Sequence, residues 1–195
     1  MPIKPRRENL PAHTVSFDAI LCIAGNHGFK GNTMFRNILV SVDGSRHSER
    51  ALAQAIDIAA AHRSRLTILT AVLKPPGWMC ASISAPPPPT LKDELERESR
   101  DILKAAVDTV PQSIPVTKIL THKPIREALK REVETDKYDL LVMGSRGRSA
   151  LTASVLGSVS HYALNHLRIP VLIVHEGRPS ANSSAPAPQL RPRIA

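Results

Sequence analysis

Three glycines, Gly144, Gly147 and Gly157, punctuate the stretch L-L-V-M-G-S-R-G-R-S-A-L-T-A-S-V-L-G-S-V-S over residues 140–160. Beside them stand four hydroxyls, Ser145, Ser149, Ser158 and Ser160, and two guanidinium groups, Arg146 and Arg148. Glycines let a backbone approach an anion closely, while hydroxyls and arginines donate hydrogen bonds to it. The chemistry these residue types share is the holding of a phosphate. Their surroundings strengthen the reading. Residues 140–143 read as a buried strand and a helix reads from Ser158, so the loop feeds a helix start, where unpaired N–H groups and the positive dipole end attract anions.

Neither of two familiar phosphate motifs is present. There is no G-x-x-x-x-G-K-[S/T] and no G-x-G-x-x-G. The spacing is G-x2-G-x9-G-S, ending on Gly157 and Ser158. A plain strand-to-helix connection whose glycines only make turns is the competing reading. Hydrolysis would require a positioned base. His161 is the histidine nearest the loop, and a solvated or capping role suits it better. His47, His62, His122, His166 and His175 are scattered without metal spacing. Asp43 follows a strand and precedes Gly44, where an aspartate commonly shapes a turn; a ligand-binding role is the alternative.

With M-G-S-R-G at its head and G-S-V-S at its tail, the loop resembles that of the ATP-binding subgroup of universal stress proteins. The resemblance runs from Met34 to about Glu176 and includes F-R-N-I-L-V-S-V-D-G-S and I-P-V-L-I-V-H. It implies a strand order of 3-2-1-4-5, which brings Asp43 beside Gly144. It also implies that Ser41, Val42, Asp43 and Val72 meet the adenosine, with the backbone at Val72 bonding the base edge. Met143 would line the base, with Gly144, Ser145, Arg146 and Gly147 around the ribose and phosphates. Gly157, Ser158, Val159 and Ser160 would close over the phosphates. The implied ligands are ATP and Mg²⁺, the metal held mostly by phosphate oxygens. Pairing into a homodimer through the last strand is implied as well, and the apolar edge from Ile169 to Val174 would be a liability unless paired. One departure is His122-Lys123-Pro124, where a small residue is expected before the proline.

These residues need a scaffold that delivers them to one place. Residues 37–42, 66–73, 116–121, 140–143 and 170–175 read as strands rich in β-branched and apolar residues. Between them lie helical segments: an alanine-rich one capped by Ser45 or Ser48 and running to about His62, with Leu52, Ala55, Ile56 and Ala59 as its stripe; one from Thr90 to about Thr109, whose K-D-E-L-E-R-E-S-R reads as a solvated face; one opened by Pro124; and one from Ser158. Such alternation predicts an α/β fold, a doubly wound open parallel five-stranded sheet with helices on both faces. Ligands of such sheets bind beyond the carboxyl ends of the strands, where the strand order reverses. Residues 74–89 form a proline-rich loop holding Trp78, the only tryptophan, read as an apolar anchor ahead of a ligand cover.

The domain is placed at residues 34–177. Residues 1–33 read as a flexible arm or a product of start-codon choice; Asp18 breaks their apolar run, against a signal peptide. Residues 178–195 read as a disordered tail. The formal charge is +9, but the two ends carry +2 and +3 of it. A mildly basic middle suits an anionic small ligand. Aromatics at 3 % leave few stacking platforms, which speaks against a nucleic-acid partner. No apolar run reaches the roughly 20 residues a membrane helix needs. Cys22 and Cys80 show no metal or redox spacing and fit the cytoplasm. The expectation is an ATP-binding regulatory protein that switches its conformation or an unknown protein partner, with slow or no hydrolysis. The rival is a slow ATPase or nucleotide-dependent phosphotransferase.

Overall fold

The computed structural model describes residues 19–22, 35–74, 89–148 and 156–175. Trp78 with the rest of 75–88, Ser149, and residues 176–195 lie outside them, as do the expectations that fall there. Six strands occur in the described residues: β1 (Ala19–Cys22), β2 (Asn37–Ser41), β3 (Arg65–Ala71), β4 (Val116–Thr121), β5 (Leu140–Gly144) and β6 (Val171–Val174). Four helices accompany them: α1 (Arg46–His62), α2 (Pro89–Asp108), α3 (Ile125–Val133) and α4 (Ser158–His166).

Strands β2 to β6 form the expected parallel sheet, in spatial order β4-β3-β2-β5-β6. Counted from β2, that order is 3-2-1-4-5. Alternate residues of each strand feed opposite layers. Ile38, Val40, Ile68 and Val142 pack with Leu52, Ala55, Leu103 and Ala106 of α1 and α2. Leu39, Leu69, Leu141 and Met143 pack with Leu129, Val133, Ala163 and Leu167 on the α3–α4 side. The continuous apolar character of these strands is thus the signature of a sheet covered twice.

Local chemistry sets the element ends. Ser45 caps α1 by accepting the Ser48 N–H at 3.3 Å, and Arg63 ends it in the left-handed region at φ 55°. Thr90 sits inside α2 as its second residue rather than ahead of it, because Pro89 already has the fixed φ that a first turn accepts. Pro124 occupies the N-cap of α3. Asp139 Oδ2 accepts the N–H groups of Arg36 and Asn37 at 2.7 and 2.9 Å, fastening the entry of β2 to the entry of β5.

One element departs from the sequence reading. The sequence places residues 1–33 outside the domain, as a flexible arm or a product of start-codon choice, yet Ala19–Cys22 forms β1 and pairs antiparallel with β6. A four-residue apolar segment interrupted nearby by a charge carries no local mark of the edge it will meet. Among the described residues, no helix is long and apolar enough to cross a membrane.

Replacing Asp139 by Ala leaves two backbone donors at the sheet's entry without their carboxylate. The expected loss is about 1–2 kcal/mol, read as a lower urea midpoint at unchanged m-value. An unshifted midpoint would show that the clamp contributes nothing.

Candidate functional site

The chain runs outward from β2 through β3 to β4, then returns to β2's other side with β5. At that reversal the loops beyond the strand ends separate and leave a cleft of about 980 Å³. Ser41, Val42 and Asp43 line it from β2, Val72 from β3, and Met143, Gly144, Arg146 and Gly147 from β5. Gly157, Ser158, Val159 and Ser160 line it from the start of α4. The topology therefore brings these sequence-predicted residues to one wall system. Ser145 is the exception. It is 1 % exposed, is absent from the cleft wall, and its Oγ has no partner among the described residues. Its backbone serves the site instead. The Ser145 N–H donates to Val174 at 2.8 Å, and its carbonyl accepts the Gly157 N–H at 2.7 Å. The side chain turns inward because this backbone is held on both sides.

Asp43 makes the expected local turn and, with its other oxygen, a long-range link. Oδ1 accepts from the Ser45 N–H at 3.0 Å and from the Ser45 hydroxyl at 2.6 Å, a local turn. Oδ2 accepts the N–H of Arg148 at 3.1 Å, 105 residues away. The carboxylate thus joins the β2 turn to the β5 loop. Gly147 is required beneath it, because a Cβ there would stand 2.5 Å from Asp43 Oδ2. Gly144 is required for a different reason. A Cβ there would lie 2.7 Å from the His47 carbonyl carbon, so glycine lets α1 approach the end of β5. These glycines serve packing between loops and helix, a role distinct from both the anion approach and the simple turns that the sequence offers.

Two further groups are engaged within the fold. The Ser160 hydroxyl donates to the Gly144 carbonyl at 2.8 Å, and Ser145's carbonyl lies 3.3 Å from it, so it knits the loop rather than projecting. The Val72 N–H donates to the Thr121 carbonyl at 2.8 Å. His161 is exposed on the cleft wall, and Asn165 Nδ2 donates to its carbonyl at 2.7 Å.

The cleft's charge was only partly legible. Lys74, Lys123 and Arg126 join Arg146 and Arg148 on its wall, against the acids Asp43 and Glu98. Arg126 Nη2 donates to the Ser158 carbonyl at 3.2 Å, and its guanidinium lies 5.6 Å above the Tyr162 ring, so it bridges α3 and α4. Arg148 pairs with Glu98 at 2.6 Å. Lys123 pairs with Glu127 at 2.7 Å; that hydrogen bond, then the lysine's charge, holds the Glu127 carboxyl below its ordinary value. Lys123 belongs to the departure His122-Lys123-Pro124, where the sequence reading expects a small residue. Nothing local marked Leu95 and Glu98, which lie in the charged run read as a solvated face. They reach the cleft because α2 crosses the β3 end, where Ser99 Oγ accepts the Leu73 N–H at 3.0 Å.

Two helices begin at the cleft, α3 at Pro124 and α4 at Gly157, and neither has a side-chain cap. Their first N–H groups are the orphan donors of a helix start and attract negative charge. Behind the loop, burial first, then the charges of His47 and Arg146, push the His175 imidazole below its ordinary pKa of 6.5. Among the described residues no group of three or more His, Cys, Asp or Glu could hold a metal ion unaided.

The cleft at the strand reversal, with its glycine-punctuated loop and two uncapped helix starts, belongs to a doubly wound α/β domain. The chain belongs to the universal stress protein family, whose model matches residues 34–175. A universal stress protein of Thermus aquaticus is 34 % identical over 142 residues, which cover 72 % of this chain and 99 % of that protein. Universal stress protein UspA of Lactobacillus plantarum shares the fold at TM-score 0.58 and 21 % identity, covering 73 % of this chain and 99 % of its own. A universal stress protein solved in complex with cAMP matches at TM-score 0.52 and 29 % identity, over 73 % of this chain and 99 % of that one.

Two outcomes follow from this geometry. Gly144→Ala should cost about 1–3 kcal/mol by forcing α1 away from β5, and more than Gly157→Ala, whose added Cβ would stand 3.2 Å from the Ser145 carbonyl oxygen rather than 2.7 Å from the His47 carbonyl carbon. Chemical denaturation of the two variants checks the contrast. Because folding lowers the His175 pKa, the unfolded chain binds that proton more readily. Stability should be full above pH 6.5 and fall as pH drops below it. The fall should be smaller in His175→Asn, followed by thermal unfolding across that range; equal pH dependence in both proteins would refute the assignment.

Proposed function

We propose that the cleft binds ATP, with Mg²⁺ carried on its phosphates, and that binding switches the protein's conformation or its choice of protein partner. One observation carries the reading: two uncapped helix starts and five Lys or Arg side chains meet on one cleft wall with only two acids. A single phosphate does not need that many cations, whereas a triphosphate can engage several at once. The adenosine end would lie toward Ser41, Val42, Asp43 and Val72, where the Val72 carbonyl faces a base amino group and Met143 supplies an apolar wall. The ribose and phosphates would run past Gly144, Arg146 and Gly147 to Gly157, Ser158, Val159 and Ser160, with Ser145 contributing backbone only.

The relative solved with cAMP supports an adenine nucleotide in a cleft of this class. With no three-carboxylate or histidine cluster in the described residues, Mg²⁺ would take most of its ligands from the phosphates. The histidine on the wall, His161, is exposed and has the Asn165 amide 3.4 Å from its Nε2 rather than a carboxylate to orient it as a base, so we read turnover as slow or absent. The β6 edge, residues 169–174, is the surface through which two copies would pair. The spacing of Cys22 and Cys80 supports a cytoplasmic setting.

Calorimetric titration of nucleotide-stripped protein tests the reading. ATP with Mg²⁺ should bind stoichiometrically and at least about tenfold more tightly than AMP, a difference of about 1.4 kcal/mol, and added salt should narrow the gap. Gly157→Ala, which puts a methyl group on the cleft wall, should weaken ATP binding while the fold persists. No heat from folded protein, or equal affinity for AMP and ATP, would overturn the proposal.

A further inference from the structure

The two edges of the sheet are built differently. At one edge, β4 exposes Thr117 and Lys118, polar and charged residues that discourage pairing with another chain. At the other, β6 is V-L-I-V, buried at every position and without a charge. Such an edge offers an unbroken row of ladder groups. Strand β1 covers it. Ala19, Ile20, Leu21 and Cys22 pair in register with Val174, Ile173, Leu172 and Val171.

The direction of this pairing matters. Two identical strands related by a two-fold axis meet antiparallel, because a two-fold interface presents the same patch from both copies. A second copy's β6 would therefore reach this edge in the same sense that β1 already uses. The segment A-I-L-C also shares the apolar, uncharged character of V-L-I-V. Strand β1 and a second β6 compete for one row of hydrogen-bonding groups, and they cannot both occupy it.

We infer that the N-terminal segment carrying β1 is an intrachain cap that controls self-association: with β1 paired the chain is held as a monomer, and its release exposes β6 to a second copy. The inference rests on the reading of β6 as the pairing edge. Both partners must open before they pair, so the apparent dissociation constant scales with the inverse square of the open fraction. An edge open in about one molecule in ten would weaken dimerisation about a hundredfold.

The test uses the full chain in three forms, followed by sedimentation velocity over a wide concentration range. The first is the parent. The second is Ile20→Pro with Leu21→Pro. Successive strand N–H groups point to opposite sides, so one of two adjacent prolines must remove a donor facing β6. The third is Val171→Cys with Cys80→Ser, in which positions 22 and 171 are register partners in the ladder and oxidation of the two cysteines locks β1 in place.

The parent should be mainly monomeric, the proline form should dimerise at least about tenfold more tightly, and the oxidised lock should stay monomeric at every concentration. On a non-reducing gel the lock should run as a single chain, placing β1 on its own β6; a covalent dimer would mean that the strand is exchanged between copies and would overturn the cap. If the proline form dimerises no better than the parent while the lock blocks dimers, β6 is the pairing edge but β1 does not restrain it, and the cap is refuted. If the oxidised lock dimerises as well as its reduced form, or none of the three forms dimerises at any concentration, the reading of β6 as the pairing edge fails instead. Should the proline form not fold, the lock before and after reduction decides the same question.

Discussion

The carboxylate of Asp43 ties together two parts of the chain that sequence separates by about a hundred residues. One oxygen shapes the turn that leads from β2 into α1; the other accepts the Arg148 N–H at the end of the glycine loop. Without that bridge the loops beyond β2 and β5 would diverge freely, since the strand order reverses between them. With it, the cleft has a fixed floor. The absence of a side chain at Gly147 makes room for the bridge, and the absence of one at Gly144 lets α1 sit close enough for its cap to share the same turn.

The cleft's electrostatics come from this arrangement. Arg146 and Arg148 arrive with the glycine loop, Lys123 and Arg126 with the start of α3, and Lys74 with the end of β3. These five cations come from three connections, and the shared carboxyl ends of parallel strands bring those connections together. Several cations are already engaged: Arg148 with Glu98, Lys123 with Glu127, and Arg126 with the Ser158 carbonyl. Exposed pairs of this kind contribute little to stability. They do keep long side chains oriented around the cleft, which reduces the ordering cost that an anionic ligand must overcome.

The sheet also shows how one chain treats two edges in two ways. Strand β4 is a polar edge that needs no cover. Strand β6 is an apolar edge, and its cover comes from the opposite terminus of the chain. An antiparallel strand from residues 19–22 satisfies ladder groups at β6 without disturbing the crossovers of the parallel sheet, because it attaches outside them.

Sequence alone determined the five parallel strands and their helices. Residues 38–40, 140–143 and 171–174 are apolar without interruption, the pattern of strands buried on both faces. The glycine loop was legible for the same local reason, since strand, glycines and helix start are contiguous. The strand order followed from resemblance, as alternation fixes handedness and leaves neighbours open. What only the tertiary structure decided are relations between distant segments: Ser145 turned away from the cleft because its backbone is held from two sides, Leu95 and Glu98 brought to the cleft by the crossing of α2, and residues 19–22 paired with β6. A local pattern records which face of an element is apolar; it carries no record of which remote strand end or helix face will lie against it.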